Sequence, residues 1–254
     1  MHHCNISKQA NDMKIFSKRT ALFAVMALMS LSFVSCSNDG DGDKSENKVK
    51  ALGNGIYLIN GHRFVDLGLP SGLLWAETNI GAETAADDGN YYAWGETTPK
   101  SEYFWETYKY GTSYDDITKY ISSDDKATLD KEDDAAYVNW GSPCRIPTNA
   151  QFGELLNSDN CTWQWTSKTT SDGSSINGYV VVSVKNGNRI FLPASGYRRN
   201  GDLYNHGSYG DYWSSTLISD YSSYAYYLDF SSSSHSQYGG NRCFGRAVRP
   251  VAEP

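Results

Sequence analysis

The stretch "GYVVVSVKNGNRIFLPA", Gly178 to Ala194, constrains the fold more than any other part of the chain. Two runs rich in β-branched residues flank Asn186-Gly187, whose glycine accepts the positive φ that a tight turn demands, so the segment predicts a β-hairpin. The same grammar recurs in "RFVDLGLPSGLLWAETNIG", where Phe64, Val65, Leu67 and Leu69 precede a Pro70-Ser71-Gly72 turn and Leu73, Leu74 and Trp75 follow it. That predicts two further short strands. "CTWQWTS" alternates Trp163 and Trp165 onto one face, as a half-buried strand does. "GRAVRPV" reads as a closing strand near Val248 and Val251, with Pro250 suited only to an edge or an end. Against these stands one strong helix signal. After "CRIPT", Thr148 is placed to cap, Gln151 completes a capping box, and Phe152, Leu155 and Leu156 form an apolar face, predicting a helix from Asn149 to Asn157. Short strands, one helix and long aromatic loops predict an α+β domain with a loop-rich surface.

Upstream, Met13 opens a plausible export signal. Lys14, Lys18 and Arg19 precede the 14-residue apolar run "ALFAVMALMSLSFV". About 20 apolar residues are needed to span a bilayer, so this run suits the core of a signal peptide. It ends in "SFVSC", which resembles the bacterial lipobox, with Cys36 as the acylated first mature residue. Asp39, Asp41 and Asp43 follow and resemble the surface-export signal of Bacteroidota lipoproteins. The expected organisation is a signal peptide over 1–35, a lipidated flexible tether over 36–54 and one domain over 55–254. The expected location is the outer membrane, lipid-anchored and facing outward. A polar tether of this length reaches roughly 20 Å. From Cys36 onward there are 28 acidic and 18 basic residues, a balance that argues against nucleic acid or an anionic membrane surface as partner.

Three cysteines remain beyond Cys36, namely Cys144, Cys161 and Cys243. In an oxidising compartment two of them can form a disulfide, and spacing does not say which two. No Cys-x-x-Cys or clustered histidine accompanies them, so no metal site is expected. The acidic stretch from Asp115 to Asp134 reads as a solvated insertion without the ordered spacing of a calcium loop. His62, His206 and His235 lie in separate segments, and no nucleophile elbow, zinc-protease motif or phosphate loop occurs. The expectation is therefore no catalytic residue and no cofactor.

Five segments in order, "GHRFVDLGLPSGLLWAETNIGA", "GNYYAWGETTPKSEYFWETYKY", "CRIPTNAQFGELLNSDNCTWQWT", "RIFLPASGYR" and "DYWSST…AYYLDF…GRAVRPV", resemble the successive motifs of the Fibrobacter succinogenes major paralogous domain. The resemblance spans nearly all of Gly61 to Val251. It implies a C-type-lectin-like fold with short antiparallel strands, one or two helices, paired first and last strands, and long loops at the opposite end. The C-terminal region is also similar to the variable proteins of diversity-generating retroelements, whose binding face is diversified at adenines. The calcium-site motifs of sugar-binding C-type lectins are absent from this sequence. Formylglycine-generating oxidases share that fold class, and Cys144 and Cys243 are the candidates such chemistry would use.

The composition of Gly210–Arg242, dominated by tyrosine, serine, glycine and aspartate, favours binding. Tyrosine offers a large amphipathic contact at low entropic cost while serine and glycine let loops adapt, as in antibody paratopes. Tyr209, Asp211, Tyr212, Tyr221, Tyr224, His235, Tyr238 and Asn241 are the candidate ligand contacts. Trp213, Tyr227, Leu228 and Phe230 are expected to face the core, and Arg246 and Arg249 to make structural ion pairs or carbonyl hydrogen bonds. The leading expectation is an adhesin-like surface lipoprotein that binds an extracellular protein or glycan. A structural or pilus-associated surface component and an enzyme are the second and third.

Overall fold

The computed structural model describes residues 49–254. The leader, the lipidation site Cys36 and the tether through residue 48 lie outside the described residues. The first sheet begins with a meander of β1 (Lys50–Gly53), β2 (Ile56–Ile59), β3 (His62–Asp66) and β4 (Leu74–Ala76). Ala51 pairs with Tyr57 across the Asn54-Gly55 turn, both of whose residues have positive φ. Among the described residues, regular structure therefore starts at Lys50, within the range assigned above to the tether. β3 and β4 flank the Pro-Ser-Gly turn as expected, with Gly72 N–H donating to Leu69 O at 2.9 Å.

β5 (Tyr91–Tyr92) and the short helix α1 (Ala135–Trp140) come next, separated by three single-turn 3-10 helices. The predicted helix is α2 (Asn149–Leu156), with the Thr148–Gln151 capping box formed in both directions. A three-stranded sheet follows, made of β6 (Cys161–Thr169), β7 (Ser175–Ser183) and β8 (Arg189–Pro193). The Asn186-Gly187 hairpin joins β7 to β8, and Gly187 has a φ of +75°.

The largest sheet is assembled from the C-terminal third. It contains β9 (Tyr197–Arg199), β10 (Asp202–Tyr204), β11 (Tyr209–Leu217), β12 (Tyr224–Ser231), β13 (Ser234–Asn241) and β14 (Gly245–Ala247), in the order β10-β9-β14-β11-β12-β13, with β5 pairing β14. The last strand, β15 (Val251–Ala252), returns to the first sheet beside β4. "GRAVRPV" is thus two short strands in two sheets with Pro250 between them, where a missing N–H interrupts no ladder.

These elements correct the expected fold class. The described residues are predominantly β, with fifteen strands in three sheets against two α-helices of six and eight residues, rather than α+β of the C-type-lectin-like kind. The reason lies in the tyrosine- and serine-rich tail. There "DYWSST" and "AYYLDF" lie in β11 and β12, and most of "SSSSHSQYGGNR", which reads as a loop, forms a further strand, β13, paired with β12 from Tyr224↔Asn241 through Ser231↔Ser234. Nor do the first and last strands pair, since β15 joins β4 and β1 lies at the far edge of the same sheet.

β11 divides two cores. Trp213 packs into a cluster with Trp94, Tyr103 and Val248, whereas Tyr212 packs into another with Trp75, Phe152 and Phe230. Arg249 is fully buried and donates to Asn79 Oδ1 and to the carbonyls of Ala76, Glu77 and Phe191, tying the first sheet to β8. Arg242, also fully buried, donates to Tyr108 Oη and the carbonyls of Lys119, Tyr120 and Ser222.

One further expectation is corrected, and the cysteines take one of the two states left open. The acidic stretch is not simply a solvated insertion, because Asp133 and Asp134 are buried. Asp133 accepts from Lys109, Lys119, Tyr110 and Tyr120, and Asp134 caps α1 through the Ala136 and Tyr137 N–H groups while also accepting from Ile146 N–H. Cys144, Cys161 and Cys243 are all free and buried, so no disulfide forms among them. Each sits in apolar surroundings as a small hydrophobe.

Candidate functional site

Strand parity decides which tail residues meet. On β11, Tyr209, Asp211 and Trp213 share one face; on β12, directly opposite, stand Ser231, Asp229 and Tyr227. β13 adds Tyr238 across from Tyr227, and β14 contributes Arg246, which is paired in register with Tyr197 of β9. The result is a cleft of about 360 Å³. Tyr197, Tyr209, Tyr224 and Phe244 form aromatic walls, and Asp211, Asp229 and Arg246 supply its charge. Asn205, Asn241 and the Gly239-Gly240 backbone complete the lining.

Four of the eight candidates are brought together here, namely Tyr209, Asp211, Tyr224 and Asn241. Tyr238 stands beside them, its ring 6.4 Å from that of Tyr227 and its side chain exposed. Tyr221 lies in the β11–β12 connection, 65% exposed and edge-on to Tyr224, but does not line the cleft. Two candidates are misplaced. Tyr212 is fully buried and donates its hydroxyl to Pro193 O at 2.7 Å, so it is core. Its neighbour Trp213 occupies the other core, and a strand covered on both faces carries no inside-outside alternation. His235 lies on the opposite face of its sheet from Tyr238, stacked on Trp163 with ring centres 4.7 Å apart, away from the cleft. Burial lowers its pKa.

Sequence reasoning missed Asp229, Tyr227 and Arg246 as site residues. Parity with Asp211 and Trp213 across a β11–β12 hairpin is the signal that finds the first two. The third depends on β14 lying beside β11, which local pattern does not encode.

The electrostatics are unusual for a sheet. Asp211 and Asp229 are a directly opposed like-charge pair, an arrangement that disfavours strand pairing. Arg246 Nε donates to Asp211 Oδ1 at 3.3 Å and offsets part of that repulsion. Burial pushes both carboxyls up, and Asp229 reaches about 6 because the Asp211 charge adds to its desolvation while Arg246 opposes it. The Arg246 guanidinium is itself held by rings, 3.9 Å from the centre of Tyr227 and 4.2 Å from that of Trp213. Gly240 leaves the room for it, since a Cβ there would lie 2.5 Å from Arg246 Nη2.

The arrangement offers adjacent hydrogen-bond acceptors and a donor beneath aromatic walls, which suits reversible recognition of a small polar group. Among the described residues no three histidine, cysteine or acidic side chains are grouped as metal ligands. Cys144 and Cys243 are pushed up to about 12 by burial, far from the lowered range of nucleophilic thiolates.

A family profile described as a domain of unknown function, DUF8237, matches residues 158–251, a range that contains every strand of the cleft-bearing sheet except β5. No curated protein and no solved structure matches the chain.

Proposed function

We propose that the protein is a lipid-anchored surface lipoprotein that binds an extracellular ligand through the tyrosine-lined cleft and its exposed rim. The observation that carries this reading is the opposed carboxylate pair of Asp211 and Asp229, which is unfavourable for strand pairing yet sits in the one place where it also meets Arg246 and the tyrosine walls. The tail's paratope-like composition supports it, since Tyr209, Tyr224 and Tyr238 combine large contact area with exposure. The lipobox-like "SFVSC" and the aspartates behind Cys36 support an outward-facing anchor. The resemblance to the Fibrobacter succinogenes major paralogous domain family belongs to the same proposal.

Binding to a panel of host extracellular proteins and glycans, measured for the wild type and for Tyr209→Ala, Tyr224→Ala and Tyr238→Ala, tests the face. Loss of binding in these variants, with retention in Tyr221→Ala, is the expected result; unchanged binding in all four removes the face. Anchoring is tested separately. Cys36→Ser is expected to move the protein from the membrane fraction to the soluble fraction, and protease added to intact cells is expected to degrade the wild type.

A further inference from the structure

Three buried arginines follow one another closely in sequence, and they provide an internal comparison. Arg242 and Arg249 each make four hydrogen bonds through all three guanidinium nitrogens. Arg246 is 4% exposed, yet among the described residues its one side-chain hydrogen bond is the Nε contact with Asp211, and Nη1 has no partner at all. A buried donor left unpaired costs about 1–3 kcal/mol, and more when charged. Native structures keep few such groups. Asp229, half-buried directly across from Asp211, also accepts no hydrogen bond among the described residues. The cleft lining therefore joins a guanidinium bonded only through Nε, its Nη1 sealed and without a partner, to a carboxylate that accepts no hydrogen bond among the described residues.

The chemistry of these groups selects the ligand. A cationic ligand would find the faces of Tyr227 and Trp213 already covered by Arg246, and would meet that guanidinium. An anionic ligand would meet two carboxylates. A hydroxyl satisfies both groups at once, because it donates to a carboxylate and accepts from a guanidinium. Vicinal hydroxyls on a ring with one apolar face would use the floor and the wall together.

We propose, resting on the reading of this cleft as the binding site, that it takes a neutral saccharide without a metal ion. The hydroxyls bridge Asp229 and Arg246, and the sugar's apolar face lies against Tyr209 or Tyr224.

The test is a printed array of neutral hexose oligosaccharides, the same cores capped with sialic acid, and glucosamine oligomers, probed in EDTA with the full chain. Binding to neutral hexose probes is expected, with at least about a tenfold loss in Asp229→Asn and in Tyr209→Ala and none in Tyr221→Ala. Asp229 takes no part in the hydrogen-bonded core, so Asp229→Asn is expected to fold, and an unchanged circular dichroism melt checks that. Binding only to sialylated or only to glucosamine probes overturns the neutral-sugar assignment. So does binding that survives both substitutions or disappears in EDTA. A blank array alongside tyrosine-dependent binding to a host protein also overturns it, while leaving the broader binding-surface reading in place.

Discussion

Asp211 on β11 and Asp229 on β12 face each other across the sheet, and only Asp211 is bonded to Arg246. Burial raises the proton affinity of Asp229, and the Asp211 charge adds to it. Asp211→Asn removes the neighbouring charge and frees Arg246 for Asp229. The midpoint of Asp229 is then expected to fall from about 6 towards the ordinary carboxylate value of about 4. Carboxyl-carbon NMR titration measures this directly, and an unchanged or rising midpoint contradicts the coupling.

Asp133 and Asp134 are adjacent in sequence and shift in opposite directions. Burial would raise Asp133, but hydrogen bonds from Lys119, Tyr110, Tyr120 and Lys109 outweigh it and hold its carboxyl well below the usual range. Its contribution to stability is present above the unfolded value of about 3.9 and is lost as pH falls through the folded value. Asp134 is raised to about 6 by burial, against the opposing N–H groups of Ile146, Tyr137 and Ala136. The folded state therefore holds its proton more tightly, and stability declines as pH rises between about 4 and 6. Urea denaturation across pH is expected to lose its acid-side slope in Asp133→Asn and its decline between about 4 and 6 in Asp134→Asn.

Arg249→Met removes the donor from three carbonyls and Asn79 at the junction of two sheets. A loss of about 3–5 kcal/mol is expected, read as a lowered midpoint in chemical denaturation. Arg249→Lys should not restore it, because one ammonium cannot reproduce the planar fork.

Tyr212→Ala is expected to cost about 3–5 kcal/mol, as loss of a buried aromatic does. Tyr212→Phe should cost about 1 kcal/mol for the hydrogen bond to Pro193 O. Tyr221→Ala, on the exposed connection, should change stability by no more than about 0.5 kcal/mol. Thermal melts of the three variants separate core from surface, and a cost for Tyr221→Ala comparable to that for Tyr212→Ala would refute the assignment.

What was legible in the sequence is what neighbouring residues decide among themselves. Thr148 and Gln151 form their capping box from three residues' separation, and Asn186-Gly187 turns its hairpin by backbone chemistry alone. What was not legible depends on convergence from afar. Asp133 reads as solvated until Lys109 and Lys119 close over it, and Tyr212 reads as outward until a second core covers that face of β11. The cleft falls between these cases. Its tyrosines were visible in composition, but Arg246 enters only because β14 returns to lie parallel to β11, pairing Tyr212 with Ala247.

That return has a consequence for how the tail can vary. β14 and β15, with Arg246 and Arg249, are encoded after Tyr209–Asn241 and complete sheets begun far upstream. A shift of reading frame anywhere in the tyrosine-rich stretch deletes the seams of two sheets as well as the cleft. A folded product therefore requires that the tail end in frame for β14 and β15.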